Sequence, residues 1–180
     1  MLTKTRLLLC GGALTGVIWA STFATFTDSG TAGATFTAGT VDLVLGGDTD
    51  DAYAFTSIEM GNMKPGDVMY APLTIDNSGS LGFTYSMATS ASNTDSKGLA
   101  DQLTLGIKTV GQTCDAATYA ASADVMMASG ALSGGAISTR SLAAGDSVIA
   151  CFRVELPGSS DDTFQGATTT ATFTFSATQA

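Results

Sequence analysis

The stretch TTTATFTFSAT, residues 168–178, decides the fold class. Ala171, Phe173, Phe175 and Ala177 alternate with Thr170, Thr172, Thr174 and Ser176. A period of two puts every second side chain on one face of an extended chain, so one face is apolar and the other carries hydroxyls. The period recurs upstream. In 40–45, Val41, Leu43 and Leu45 share a face opposite Thr40, Asp42 and Val44. In 68–76 the apolar set is Met69, Ala71, Leu73 and Ile75, in 82–88 it is Phe83, Tyr85 and Met87, and in 103–109 it is Leu103, Leu105 and Ile107. In 147–156 it is Val148, Ala150, Phe152, Val154 and Leu156. Turn-forming groups at 64–67, 76–79, 144–146 and 157–159 separate these runs. The pattern predicts an all-β fold, a jelly-roll-like antiparallel β-sandwich. Two helical pieces are expected within it. Residues 97–102 suffice for one or two turns. Residues 115–127, opening on Asp115 as N-cap and rich in Ala and Met, predict a helix that the glycines of 130–135 end.

The N-terminus reads as an export leader. Lys4 and Arg6 precede an apolar run from Leu7 to Ala20, followed by small residues. The run is short of the roughly 20 residues that span a bilayer as a helix. Cleavage is expected between Ala24 and Thr25, with a cut after Ala20 as the alternative. This gives a signal peptide at 1–24 and one domain at 25–180, the protein being secreted to the extracellular matrix or cell surface. Membrane contact is expected only through an uncleaved leader. Cys10 does not read as a lipid anchor, because Leu9 stands where a small residue is needed.

The expected mature chain holds five basic residues against sixteen acidic ones, a net charge of −11. Nucleic-acid binding needs clustered Lys and Arg, and none cluster here. Charged residues make up only 13% of the chain, about half the usual share, so Thr, Ser, Ala and Gly must cover much of the surface. Cys114 and Cys151 form an even pair in an exported chain, which predicts a disulfide over the alternative of two buried thiols. Closing a loop of this length contributes roughly 4 kcal/mol on the chain-entropy view. Cys151 falls on the face of its strand opposite Phe152, so the bond is expected on an outer or edge surface.

No histidine is present anywhere in the chain. That removes the H-E-x-x-H zinc motif and the Ser/His/Asp triad, and it leaves either cysteine without an imidazole base. No catalytic or cofactor-binding residue is predicted, and the chain is expected not to be an enzyme. Asp48, Asp50 and Asp51 follow Gly46 and Gly47. Three carboxylates this close could ligate Ca²⁺, which takes oxygen ligands; the plainer reading is a solvated acidic loop. Phe26 and Phe36 sit in an extended, Thr-rich segment just past the cleavage point. They dock either within their own domain or, as an added strand, on a neighbour's sheet edge.

Several motifs carry a family resemblance. Phe26-Thr27-Asp28 and the string FTAGTVDL (36–43) resemble the mature start of the TasA/camelysin family of exported, β-rich surface proteins. NMKPGDVMYAPLTIDNSGSLGFTYSM (62–87) resembles its strand–turn–strand block, with Pro65, Gly66, Asp67, Asn77 and Gly79 at the turn positions. LAAGDSVIACFRVELP (142–157) and FQGATTTATFTFSATQ (164–179) are similar to its closing strands. Residues 95–138 depart from the pattern and read as an insert. The resemblance implies a biofilm matrix protein whose subunits join into fibres by donating the N-terminal strand, here 25–37. It also implies a dedicated signal peptidase and an accessory matrix protein as partners. The rival functions are a monomeric surface-binding or adhesive module and, in line with part of the family, a metalloendopeptidase.

Overall fold

Where apolar and hydroxylated residues alternate, the chain is extended and paired into two antiparallel sheets. The computed structural model describes residues 37–48, 53, 55, 58, 62–93 and 95–180. The leader, the cleavage point at Ala24 and Thr25, and Phe26 and Phe36 lie outside these residues. The elements in chain order are β1 (Leu43–Leu45), β2 (Val68–Asn77), β3 (Phe83–Ser92), α1 (Leu99–Gln102), β4 (Thr104–Val110) and α2 (Ala116–Ala121). There follow β5 (Val125–Ala131), β6 (Ala136–Leu142), β7 (Ser147–Glu155), a 3-10 turn (Asp162–Phe164) and β8 (Thr170–Gln179). One sheet has the order β1-β2-β7-β4-β5 and the other β6-β3-β8. Among the described residues, no helix is long and apolar enough to cross a membrane.

The register explains the core. Ala71, Leu73 and Ile75 of β2 pair with Phe152, Ala150 and Val148 of β7, so their apolar faces coincide. Leu105 and Ile107 of β4 pair with Val154 and Phe152 on the other side of β7. Phe83, Tyr85 and Met87 of β3 close over them from the second sheet, and all three are buried. The 64–67 turn forms as its residues dictate. Pro65 precedes Gly66 at φ 92°, and the Lys64 N–H donates to the Asp67 carboxylate at 2.9 Å. Asn77 ends β2 as a buried polar hub. Its amide nitrogen donates to the carbonyls of Leu81 (2.9 Å), Leu142 (3.2 Å) and Ala143 (3.1 Å). Its Oδ1 accepts from the Gly79 N–H at 3.1 Å, which ties the β2–β3 connection to the end of β6.

The stretch 95–138 is part of the body of the fold and not an appendage. It supplies β4, which lies between β7 and β5. The helix expected over 115–127 is only Ala116–Ala121. Asp115 caps it as predicted, its carboxylate accepting from the Thr118 N–H at 2.8 Å while the Thr118 hydroxyl accepts from the Asp115 N–H at 3.0 Å. Beyond Ser122 the chain turns into β5, and the glycines of 130–135 sit in and after that strand instead of ending a helix. The first strand is also shorter than 40–45, reduced to Leu43–Leu45.

Helix α2 lies on the outer face of the five-stranded sheet. Lys108 Nζ donates to the carbonyls of Tyr119 (3.1 Å) and Ser122 (2.9 Å) and stands 4.9 Å from the centre of the Tyr119 ring. Tyr119 leans on Tyr70 at 5.7 Å. The Tyr119 hydroxyl packs closely over Gly106, where an added Cβ would make the tyrosine shift. Cys114, just before the helix, is bonded to Cys151 of β7 (S–S 2.03 Å). The bond is on the face opposite Phe152, where the alternation placed it.

Candidate functional site

The two sheets differ by two strands, and the difference falls on one side. Phe173 of β8 lies 5.2 Å from Phe152 of β7, so β8 sits opposite the middle of the five-stranded sheet. β1 and β2 extend past it. At the typical spacing of about 4.8 Å between strands, this leaves room for one or two more strands beside β8. Among the described residues, β8 pairs with β3 alone, and its other edge has no strand partner. The space beside it is a groove of about 1440 Å³. Leu43, Leu45, Met69 and Leu73 form one wall and Ala171, Phe173, Phe175 and Ala177 the other. These β8 side chains point inward yet are only half-buried, whereas Phe83 and Tyr85 of β3 are almost wholly buried.

The groove has an apolar floor and few charges. Asp42, Lys64 and Asp161 are among its lining residues. The Asp161 carboxyl is held below the usual carboxylate range by the hydroxyl and N–H of Thr163. The strands of the smaller sheet carry no acidic residue at all. A free strand edge above an apolar floor can take up an extended segment: its backbone would pair with β8 and alternate side chains would enter the groove. Tyr53, Phe55 and Ile58, from the connection between β1 and β2, also line the space. None of this was visible as a site in the sequence. The walls come from β1 and β2 at one end of the sequence and β8 at the other, and an edge strand has the same alternation as a central one.

Of the residues singled out in sequence, Cys114 and Cys151 are brought together. Asp48 lies in the turn after β1, its N–H donating to the Leu45 carbonyl at 3.0 Å. Asp50 and Asp51 lie outside the described residues, as do Phe26 and Phe36.

The profile of the camelysin metallo-endopeptidase family matches residues 9–110, more than half of the chain. The chain belongs to this family. The match runs from residue 9 through β4, so it includes the β1–β2 wall of the groove. Comparison with curated proteins gave no match. Membership corrects one expectation. The chain was expected not to be an enzyme, but the camelysin family is described as metallo-endopeptidase, which points to one. A metallo-endopeptidase implies a metal. Among the described residues, no three Cys, Asp or Glu side chains gather to hold one, and both described cysteines are bonded to each other. The described residues therefore do not fit a metal centre, and without histidine any donor set in this camelysin-family chain must rely on oxygen or sulfur.

Proposed function

We propose that this camelysin-family protein is a secreted subunit of extracellular or cell-surface fibres. On this reading the leader is removed between Ala24 and Thr25. The segment 25–37 of one copy then adds as a strand to the β8 edge of the next. The observation that carries the proposal is the β8 edge, which has no strand partner among the described residues, above an apolar groove with space for another strand. The composition of 25–37 suits that space: Phe26, Ala34 and Phe36 supply apolar side chains, and Asp28 is its one charge. The contact joins unlike surfaces, tail to groove, so it does not close on itself and propagates as a filament. Assembly uses no catalytic group and is independent of the peptidase activity that the family description points to.

Electron microscopy of mature protein with and without residues 25–37 tests the proposal. The intact protein should form filaments at high concentration and stay monomeric when dilute. The truncated protein should stay folded and form none. Filaments of unchanged width from the truncated protein would place the interface elsewhere. Absence of filaments from the intact protein would favour a monomeric surface-binding module.

A further inference from the structure

Phe55, which lines the groove, does not belong to either sheet. It comes from the connection between β1 and β2, yet its ring packs against one strand of each sheet. It meets Phe152 of β7 edge-on at 5.0 Å and Phe173 of β8 edge-on at 6.0 Å. Phe152 is wholly buried, whereas Phe55 is only half-buried, as expected of a ring inserted from the open side. Tyr53 stands beside it at 6.1 Å and rests on Gly46, where an added Cβ would come within 2.4 Å of the tyrosine ring.

The sequence around Phe55 repeats a feature of the segment proposed to enter the groove. Phe55 is followed by Thr56, as Phe26 is by Thr27 and Phe36 by Thr37. In each case the phenylalanine's immediate neighbours in sequence are Ala or Thr.

We infer that Phe152 and Phe173 form an aromatic subsite for a phenylalanine of the incoming strand, and that Phe55 fills this subsite in the free subunit. The inference rests on the strand-donation reading and adds to it a named anchor point and a built-in competitor. Two rings cannot share one position. An arriving Phe26 or Phe36 must displace Phe55, so the free subunit resists assembly until the local concentration of donor strand is high. The resident ring also shields Phe152 and Phe173 from water in the monomer, where an open aromatic floor would invite non-specific association.

Binding of a synthetic peptide of residues 25–37 to dilute, secreted full-length protein tests this. Phe55→Ala should bind the peptide about tenfold more tightly than wild type, because the competitor is gone; tenfold corresponds to about 1.4 kcal/mol. A peptide with Phe26→Ala and Phe36→Ala should lose that gain. Hydrogen exchange on the wild-type protein provides a readout that does not depend on the variant folding. Peptide binding should slow exchange along 170–179 and speed it at 53–58. Equal or weaker peptide binding by a folded Phe55→Ala, or exchange at 53–58 that does not rise when the peptide binds wild type, overturns the inference and leaves strand donation standing. Failure of the peptide to bind either protein overturns both.

Discussion

The two sides of this sandwich start from similar strands and end differently. On the closed side, β5 of the larger sheet passes directly into β6 of the smaller one. The connection is pinned to both layers: the Leu132 N–H donates to the Leu103 carbonyl at 2.9 Å, and the Thr89 N–H donates to the Gly135 carbonyl at 2.8 Å. The Thr89 hydroxyl also donates to the carbonyls of Leu132 and Gly135. Arg140 of β6 pairs with Asp124, just ahead of β5, at 2.8 Å. On the open side, β8 and β1 are joined by nothing comparable among the described residues, and a groove separates them. The chain spends its connecting hydrogen bonds on one side and leaves apolar surface on the other. Among the described residues no strand covers this apolar groove, and large open apolar surfaces are characteristic of interaction sites.

The sharpest way to break the comparison is to truncate one phenylalanine on each of two strands of the smaller sheet, β3 and β8. Phe83 of β3 is fully buried, and Phe83→Ala should cost about 3–5 kcal/mol in the monomer, the range for a buried Phe→Ala change. Phe175 of β8 faces the same interior but is half-buried, so Phe175→Ala should cost well under half as much. In assembled fibres the order should narrow, because an added strand would bury Phe175. Chemical denaturation of monomer and fibre measures both. Equal losses in the monomer would mean that the groove is already filled.

The disulfide sharpens the comparison from the other direction. Cys114–Cys151 fastens the start of α2 to the outer face of β7, away from the groove. Replacing both by Ser should lower monomer stability by about 2–4 kcal/mol. Filament formation should survive, since the groove walls lie on the opposite face. Thermal melts and microscopy on the same preparation separate the two effects. Loss of filaments from a variant that remains folded would tie the outer face to assembly.

Legibility in the sequence followed the same division. β2, β7 and β8 were readable because each keeps an apolar residue at every second position, and their predicted apolar faces are the faces that point inward. β5 was missed for a physical reason. Met126 and Met127 are adjacent and both buried, and the pairing with β4 shifts register between Leu105 and Ile107 and again between Ile107 and Lys108. A bulged strand has no clean period of two. Its Ala and Met content is also what favours a helix, so the helix that begins correctly at Asp115 was extended too far. β6 was hidden by Ser, Thr and Arg on a strand with only Ile137 and Leu142 buried. The groove could not be read at all. Ala171, Phe173, Phe175 and Ala177 look in sequence like a core face, and only the strand order shows that among the described residues no strand pairs beyond them.

The smallest expected effect concerns the cap of α2. A helix of six residues is too short to hold itself in water, so α2 depends on what pins its ends. Lys108 holds the C-terminal end by donating to the carbonyls of Tyr119 and of the C-cap Ser122, and the disulfide and Asp115 hold the start. The Thr118 N–H and then its hydroxyl hold the Asp115 carboxyl below the usual carboxylate range. A lowered carboxyl pKa contributes stability that is complete above the unfolded value and is lost as pH falls through the folded one. Asp115→Asn keeps an acceptor for the Thr118 N–H but removes the charge, so it should lower the melting temperature slightly at neutral pH. Below the lowered folded pKa of Asp115, the wild type and Asp115→Asn should melt together. Asp115→Ala removes the acceptor as well and should remain the least stable of the three at every pH. All three differences should grow in the Cys114→Ser, Cys151→Ser background, where the cap alone holds the start of the helix. A pH-independent gap between wild type and Asp115→Asn would show that the charge contributes nothing and that the cap works through its hydrogen bond alone.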